Sequence, residues 1–429
     1  MTAAHRSGAR WRRWLIIGAV EVVVVLLLAE LAVRVAAPFN RDLRMLLRAS
    51  TTTTEFDDAE TLPELMNRTM LGFRPGTVQY GFVLNSRSFR TREYTTTPAP
   101  GVLRVVALGD SFTFASGGLP AADHWTTVLE SELERRLERQ AEVLRLGVPD
   151  TGPAFQLRLW QIEASRLDPD VVVLAFFVGN DFVDHQPDAG VFARPERGLS
   201  ARLASVSALY RAVRNLTRVL GARADGPTQA GSLDAAGAGP GEPVPGYREA
   251  FDPDRPTFSR RRFLAIEAGR MALCLRSEQA AFERLDRKVA EVVVELASEV
   301  RESGAACVVM LIPDQYQVDP DLAERAARSV GRELDDYDLE RPQRALGRAL
   351  DAAGVDRIDL LPVFRRHAGD GPLYRPRDSH WNRSGNALAA RTLARWMRRD
   401  LGAARTGAIH SDGFEQGSSA AWSSTEPHG

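Results

Sequence analysis

Apolar positions follow three different spacings along this chain. Between Trp14 and Ala37 they form an almost continuous run of Val, Leu, Ile and Ala. From Leu103 onward they fall into short clusters, Leu103–Leu108, Val143–Leu146, Val171–Val178, Ala305–Ile312 and Val355–Leu361, of which the first, second and last admit charged residues (Arg104, Arg145, and Asp356, Arg357 and Asp359). Runs this short, closed by Gly, Asp or Pro, predict strands buried on both faces. Between them the spacing changes to that of helices. Trp125, Leu129, Leu133 and Leu137 recur at i, i+4 up to about Gln140, a second helix runs from about Pro153 to Arg166, and Phe282, Leu285, Val289, Val292, Val293, Leu296 and Val300 mark one face of a longer helix. That longer helix extends from about Phe263 to Ser303 with a break, and Gly304 ends it. Helical stretches near 320–330 and 339–353 and a last helix over Ser384–Leu401 complete the alternation. Strand and helix in turn predict an α/β domain over 103–401 built on a five-stranded parallel sheet.

Outside that domain the pattern differs. Residues 1–13 form a short basic tail with Arg6, Arg10, Arg12 and Arg13, and 14–37 is long enough to cross a bilayer as a helix of about twenty residues. Glu21, Glu30 and Arg34 interrupt it, with Glu30 and Arg34 spaced to pair at i, i+4. Val35-Ala36-Ala37 offers a cleavage site, but Pro38 and the length of the run favour an uncleaved signal anchor, which places the domain outside the cytoplasm on a single-pass membrane helix. Residues 38–102 read as a linker and irregular wrap with short strands near Val78–Phe89. Within the domain, Ser200–Leu220 has helical spacing through Leu203, Val206, Leu209, Tyr210, Val213 and Leu216, whereas 221–256, rich in Gly, Ala and Pro, reads as a flexible insertion, and 402–429 as a disordered tail.

Composition narrows the function classes. The 429 residues are 44% hydrophobic and 26% charged, ordinary globular values. A formal net charge of -1 gives no electrostatic case for a nucleic-acid partner. Cys274 and Cys307 form no CxxC pattern, and Cys307 lies inside an apolar strand as a core thiol would.

The chemistry-bearing residues fall at strand ends. Gly109-Asp110-Ser111 follows the first strand, Gly147-Val148-Pro149-Asp150-Thr151-Gly152 the second, Gly179-Asn180-Asp181 the third, and Asp378-Ser379-His380 the loop after the fifth. Parallel strands point one way, so these groups converge on one edge of the sheet, where α/β proteins bind ligands. Each motif alone also reads as an ordinary turn or helix cap. Together they supply the parts of acyl-group chemistry: a hydroxyl nucleophile, a base, a group orienting the base, and donors for an oxyanion. Of the seven histidines, only His380 lies beside an acid at this edge; His124 starts a helix, where a capping role is expected, and Phe112 and Trp381 read as packing residues.

This set of motifs resembles the SGNH/GDSL hydrolases. The resemblance spans roughly 103–400 and implies a three-layer α/β/α fold of flavodoxin-like topology, ester or O-acetyl chemistry, and no metal or cofactor. It implies Ser111 as nucleophile, His380 as base and then acid, Asp378 as the residue orienting it, and the Ser111 N–H and Asn180 amide as oxyanion donors. Two departures stand out. The family's common Asp-x-x-His spacing would put the acid at Arg377, whereas Asp-x-His, as here, is similar to alginate-type O-acetyltransferases. The oxyanion glycine position of the second turn holds Asp150, which leaves Asp150, Gly152 or Gly147 for that backbone donor. Three functions follow: a serine esterase acting on an ester-bearing small molecule, lipid or glycan; an O-acyltransferase acting on a cell-envelope polysaccharide; or an inactive SGNH domain that binds, to which Asp150 points.

Overall fold

The computed structural model describes residues 4–36, 56, 59–69, 73–79, 81–115, 119–184, 203, 207–210, 212–213, 216–217, 238–244, 252 and 254–405. They fall into two compact units, one of 1–52 with 194–231 and one of 53–193 with 232–429.

In the smaller unit the basic tail and the apolar run form one helix, Ala4–Ala36. Among the described residues, no helix is long and apolar enough to cross a membrane. The spanning anchor expected over 14–37 finds no support there, and Glu30, which interrupts the apolar run, has polar partners. Its carboxylate accepts from the Ala208 and Leu209 N–H groups at 2.8 and 2.9 Å and from the Ser207 hydroxyl at 2.8 Å, so it caps the start of the helical segment of the insertion. The Leu209 and Ala208 N–H groups, with Arg34, lower its pKa to about 2.

The larger unit starts with a small antiparallel hairpin, β1 (Val78–Gln79) and β2 (Phe82–Val83). Its centre is a parallel sheet of β3 (Leu103–Gly109), β4 (Ala141–Gly147), β5 (Val171–Phe177), β6 (Ala306–Ile312) and β7 (Asp356–Asp359), in the order β4-β3-β5-β6-β7. Numbered along the chain this is 2-1-3-4-5, the flavodoxin-like order. The five-stranded parallel α/β fold read from the sequence is therefore present.

Side-chain alternation along each strand divides the core into two layers. Val106, Leu108, Leu144, Leu146, Val172, Leu174, Val309 and Leu311 face the helices Pro153–Ile162, Gln279–Glu302 and Arg341–Ala352, through Phe155, Leu159, Phe282, Val289, Val293, Leu346 and Leu350. Val105, Ala107, Val143, Val173, Ala175, Val308 and Met310 face Trp125–Leu137, Leu361–His367 and Arg383–Arg405, through Trp125, Leu129, Phe364, Leu393 and Met397. Every residue of β3 and β5 is buried, which is why these strands are apolar without alternation in sequence except at Arg104, which pairs with Glu142.

The segment before the sheet does more than link. Phe56, Leu65, Phe73 and Phe89 enter the first layer, Phe56 meeting Phe155 edge-on at 5.3 Å. Of the 221–256 insertion, 238–244, 252 and 254–256 are described; Val83 donates to Glu242 at 3.1 Å and Gly241 to Val83 at 2.8 Å, pairing this stretch with β2. The rest of the insertion, and the tail beyond Arg405, lie outside the described residues.

Candidate active site

Ser111 is placed by a strand end with no room in it. Gly109 ends β3 at φ +154, and a Cβ there would come within 2.5 Å of Thr113 Oγ1 and 2.8 Å of the Ala175 carbonyl oxygen. A Cβ on Gly147, at the matching end of β4, would run into the backbone of Thr113 and Phe114. These glycines let the single turn Ser111–Phe114 seat directly on the carboxyl edge. Asp110 caps that turn, its Oδ1 accepting from the Phe112 N–H at 2.9 Å. The Ser111 N–H is thereby left among the donors that a helix start does not use internally.

The far side of this turn is pinned by Arg90. It is fully buried, donates to the carbonyls of Phe114 (3.3 Å), Ala115 and Leu119 (2.7 Å), and stacks on Phe82. His124 caps Trp125–Leu137 as expected, with Nδ1 accepting from the Thr126 N–H and Nε2 against the Phe112 carbonyl at 2.9 Å. Burial, followed by the Arg145 charge, pushes its pKa well down. It is a neutral structural imidazole.

His380 reaches Ser111 from the other end of the domain. Its Nε2 lies 2.9 Å from Ser111 Oγ, and its Nδ1 lies 2.7 Å from Asp378 Oδ1. A carboxylate only accepts, so Nδ1 carries the proton and Nε2 of the neutral ring is the acceptor facing the hydroxyl. Ser111 Oγ also lies 3.3 Å from Asp110 Oδ2, a longer contact, so its proton is directed at His380. Phe112 packs 5.0 Å from the imidazole and 5.0 Å from Trp381, and both aromatics are buried packing residues.

Asp378 is the carboxylate on His380, and Arg377 is not in that place: its backbone sits at φ +49 and its carbonyl accepts from the Phe258 N–H at 3.3 Å. Burial opposes ionisation of Asp378. The His380 charge and hydrogen bond, Arg375 and Thr257 overcome it and hold the pKa well below the usual carboxylate range.

Asn180 follows β5 and converges on the same centre. Its Nδ2 donates to Asp110 Oδ2 at 3.2 Å and to Asp184 Oδ2 at 2.7 Å, so its amide and the Ser111 hydroxyl share one carboxylate oxygen. Asp150 adopts the left-handed conformation, φ +59, and its side chain is exposed. Desolvation, followed by the Asp110 charge, raises its pKa. Gly152 is extended and caps the helix Pro153–Ile162, its carbonyl accepting from the Phe155 N–H at 3.0 Å; Gly147 serves the close approach already described.

Ser111, Phe112, Ala115, Leu119, His124, His380, Trp381 and Asn386 line a small pocket of about 210 Å³, including the part open to solvent. Among the described residues, no group of three or more His, Cys, Asp or Glu side chains is arranged to hold a metal ion. Sequence reasoning missed Thr257, Arg375, Asp184 and Arg270. Arg270 donates to Ser379 Oγ, lies 3.7 Å from Asp314 and stacks on Phe177. No motif distinguishes these from surface polar residues; Thr257 and Arg270 act through contacts distant in sequence, Arg375 and Asp184 through near neighbours.

The fold, with a hydroxyl, an imidazole and a carboxylate in line at the sheet edge, resembles that of the SGNH hydrolase-like proteins. Residues 275–417 match the family model described as the SGNH hydrolase-like domain of acetyltransferase AlgX. The resemblance read from the motifs holds, with its similarity to the acetyltransferase in the part of the chain that carries Asp378 and His380. No curated protein matches the chain in sequence. Among solved structures, the acetyl xylan esterase AlAXEase is 15% identical, with 70% of this chain and 100% of that one covered and a TM-score of 0.35. A lipase/acylhydrolase from Enterococcus faecalis is 12% identical, covering 70% and 96% at a TM-score of 0.34. TesA is 11% identical, covering 70% and 98% at 0.33.

Proposed function

We propose that the chain is a serine acyl hydrolase working through an acyl-enzyme. The observation that carries this reading is the unbroken line from Ser111 Oγ to His380 Nε2 at 2.9 Å and from His380 Nδ1 to Asp378 at 2.7 Å. Ser111 Oγ attacks the ester carbonyl while its proton passes to His380 Nε2. Asp378 stabilises the imidazolium that forms and keeps the ring in register. The Ser111 N–H and the Asn180 amide, turned from Asp184, donate to the oxyanion. The carbon–oxygen bond to the alcohol then breaks, His380 returns the proton to the leaving oxygen, and the acyl group remains on Ser111. Water, deprotonated by the same nitrogen, attacks the acyl-enzyme and releases the acid.

A second reading replaces that water with an acceptor hydroxyl, giving an O-acyltransferase acting on a polysaccharide. The match to the acetyltransferase AlgX domain and the Asp-x-His spacing favour it. Incubation with an acyl ester and a glycan acceptor separates the two: free acid with no modified acceptor supports hydrolysis, and acylated glycan supports transfer. Absence of turnover by the wild-type protein, or equal turnover by Ser111→Ala, overturns both. Placement of the domain outside the cytoplasm completes the proposal and rests on the basic head followed by the apolar stretch of the helix Ala4–Ala36. A C-terminal topology reporter active only in the cytoplasm contradicts it.

A further inference from the structure

The Asp378 carboxylate accepts four hydrogen bonds, two on each oxygen. Oδ1 takes the His380 N–H at 3.0 Å and His380 Nδ1 at 2.7 Å. Oδ2 takes Arg375 at 3.0 Å and the Thr257 hydroxyl at 2.6 Å. Three of these donors belong to the loop that carries Asp378 and move with it. The loop is closed on itself, since the Arg375 N–H also donates to the His380 carbonyl at 3.0 Å. Thr257 alone comes from elsewhere in the chain, more than a hundred residues earlier.

Its own position is fixed by backbone. The Thr257 N–H donates to the Pro376 carbonyl at 3.2 Å and the Phe258 N–H to the Arg377 carbonyl at 3.3 Å, two rungs immediately ahead of Asp378. Ser259 then caps the helix Arg260–Arg270, its hydroxyl accepting from the Arg262 N–H at 3.3 Å. At the other end of that helix, Arg270 donates to Ser379 Oγ, and Ser379 donates to Glu267 at 3.0 Å. One strap, 257–270, thus holds both residues that precede His380.

From this geometry we propose that Thr257 is a positioning residue of the active site: its hydroxyl sets the angle of the Asp378 carboxylate and, through it, the direction of His380 Nε2 toward Ser111. The inference rests on the reading of Ser111, His380 and Asp378 as the reacting set. A carboxylate held only by donors of its own loop rotates with that loop. A donor at 2.6 Å from an independent element removes that freedom. A hydrogen bond to a charged acceptor is worth enough to change an equilibrium about tenfold or more. The effect falls on the chemical step, because Thr257 acts through Asp378 and is absent from the pocket lining.

The test uses the full chain and p-nitrophenyl acetate. Thr257→Val and Thr257→Ala lower kcat about tenfold or more, with KM within twofold of wild type, and Thr257→Ser restores most of the rate because it keeps the hydroxyl. Thermal melting of each variant accompanies the kinetics. Two outcomes overturn the inference: Val and Ala variants within twofold of the wild-type kcat, or a Ser variant as slow as the Val variant while melting like the wild type. Fluorophosphonate labelling of the wild type separates this from failure of the underlying reading. A wild type that labels at Ser111, with variants unchanged in kcat, overturns only the role of Thr257; a wild type that does not label overturns both.

Discussion

Replacing Asp378 by Asn removes one charge and reverses the direction of one proton. In the native site the carboxylate accepts the Nδ1 proton of His380 at 2.7 Å. An amide at 378 that keeps its bonds to Arg375 and Thr257, both donors, must use its oxygen for them and turn its NH2 toward Nδ1. His380 then carries its proton on Nε2, facing Ser111, and is unable to accept another. The lost attraction is also calculable. An imidazolium and a carboxylate with charge centres about 4 Å apart interact by ~4 kcal/mol at an effective dielectric near 20, a loss of about a thousandfold in rate. With the tautomer reversed as well, kcat should fall by about 10³- to 10⁴-fold while KM changes little. Steady-state hydrolysis of an acyl ester, with circular dichroism to verify the fold, measures this. A folded Asn variant that loses less than tenfold in kcat would refute the reasoning, because it would mean that neither the charge nor the tautomer at 378 matters to the reaction.

Further outcomes follow from the same geometry. Asn180→Ala should lower kcat by about a hundredfold or more with KM nearly unchanged, measured on the same ester; a loss of less than about threefold removes Asn180 from the oxyanion site. Gly147→Ala forces a methyl into the backbone of Thr113 and Phe114 and should cost about 2 kcal/mol or more, read as a lower urea midpoint. Asp378→Asn should also destabilise the fold at pH 7 by about 3 kcal/mol, since Arg375 and Asp378 are nearly buried and one partner is lost. The sign of its pH dependence is set by the lowered native pKa of Asp378. The ionised carboxylate stabilises the native state fully above the unfolded-state value of about 3.9, and that contribution is lost as pH falls through the lower native value. The gap between wild type and Asn variant should therefore be constant from pH 7 to about pH 5 and narrow only in stronger acid.

Much of the domain was legible because buried parallel strands have an unmistakable composition. The runs at 105–108 and 171–178 are apolar throughout since both faces of β3 and β5 are covered, and their ends bring Ser111 and Asn180 to one edge. The stop at Gly304, φ +92, was equally visible; the break in the long helix, expected without a position, falls near 270. The last strand was read too long. Its described part is Asp356–Asp359, and Leu361–His367 is a helix, because the apolar residues at 360–364 serve helix packing through Leu361 and Phe364. The helix 4–36 was legible as a helix, and the span expected within it finds no support. Spacing alone does not reveal that Glu30 is committed to the N–H groups of Ala208 and Leu209, almost two hundred residues away. Thr257 was invisible for the same reason: it becomes a partner of Asp378 only after the chain has closed, whereas Arg375, three residues from Asp378, carries no motif that marks it. Asp150 is a different case. The sequence flagged it as a departure, and its exposed, left-handed position assigns it no donor role.

The most direct test of the central claim is covalent labelling of the full chain with a fluorophosphonate, read by mass spectrometry of the peptide containing Ser111. The account predicts one phosphonyl adduct, located on Ser111, abolished in Ser111→Ala and strongly slowed in Asp378→Asn. Folded wild-type protein that takes up no label, or that is labelled equally after Ser111→Ala, would contradict it.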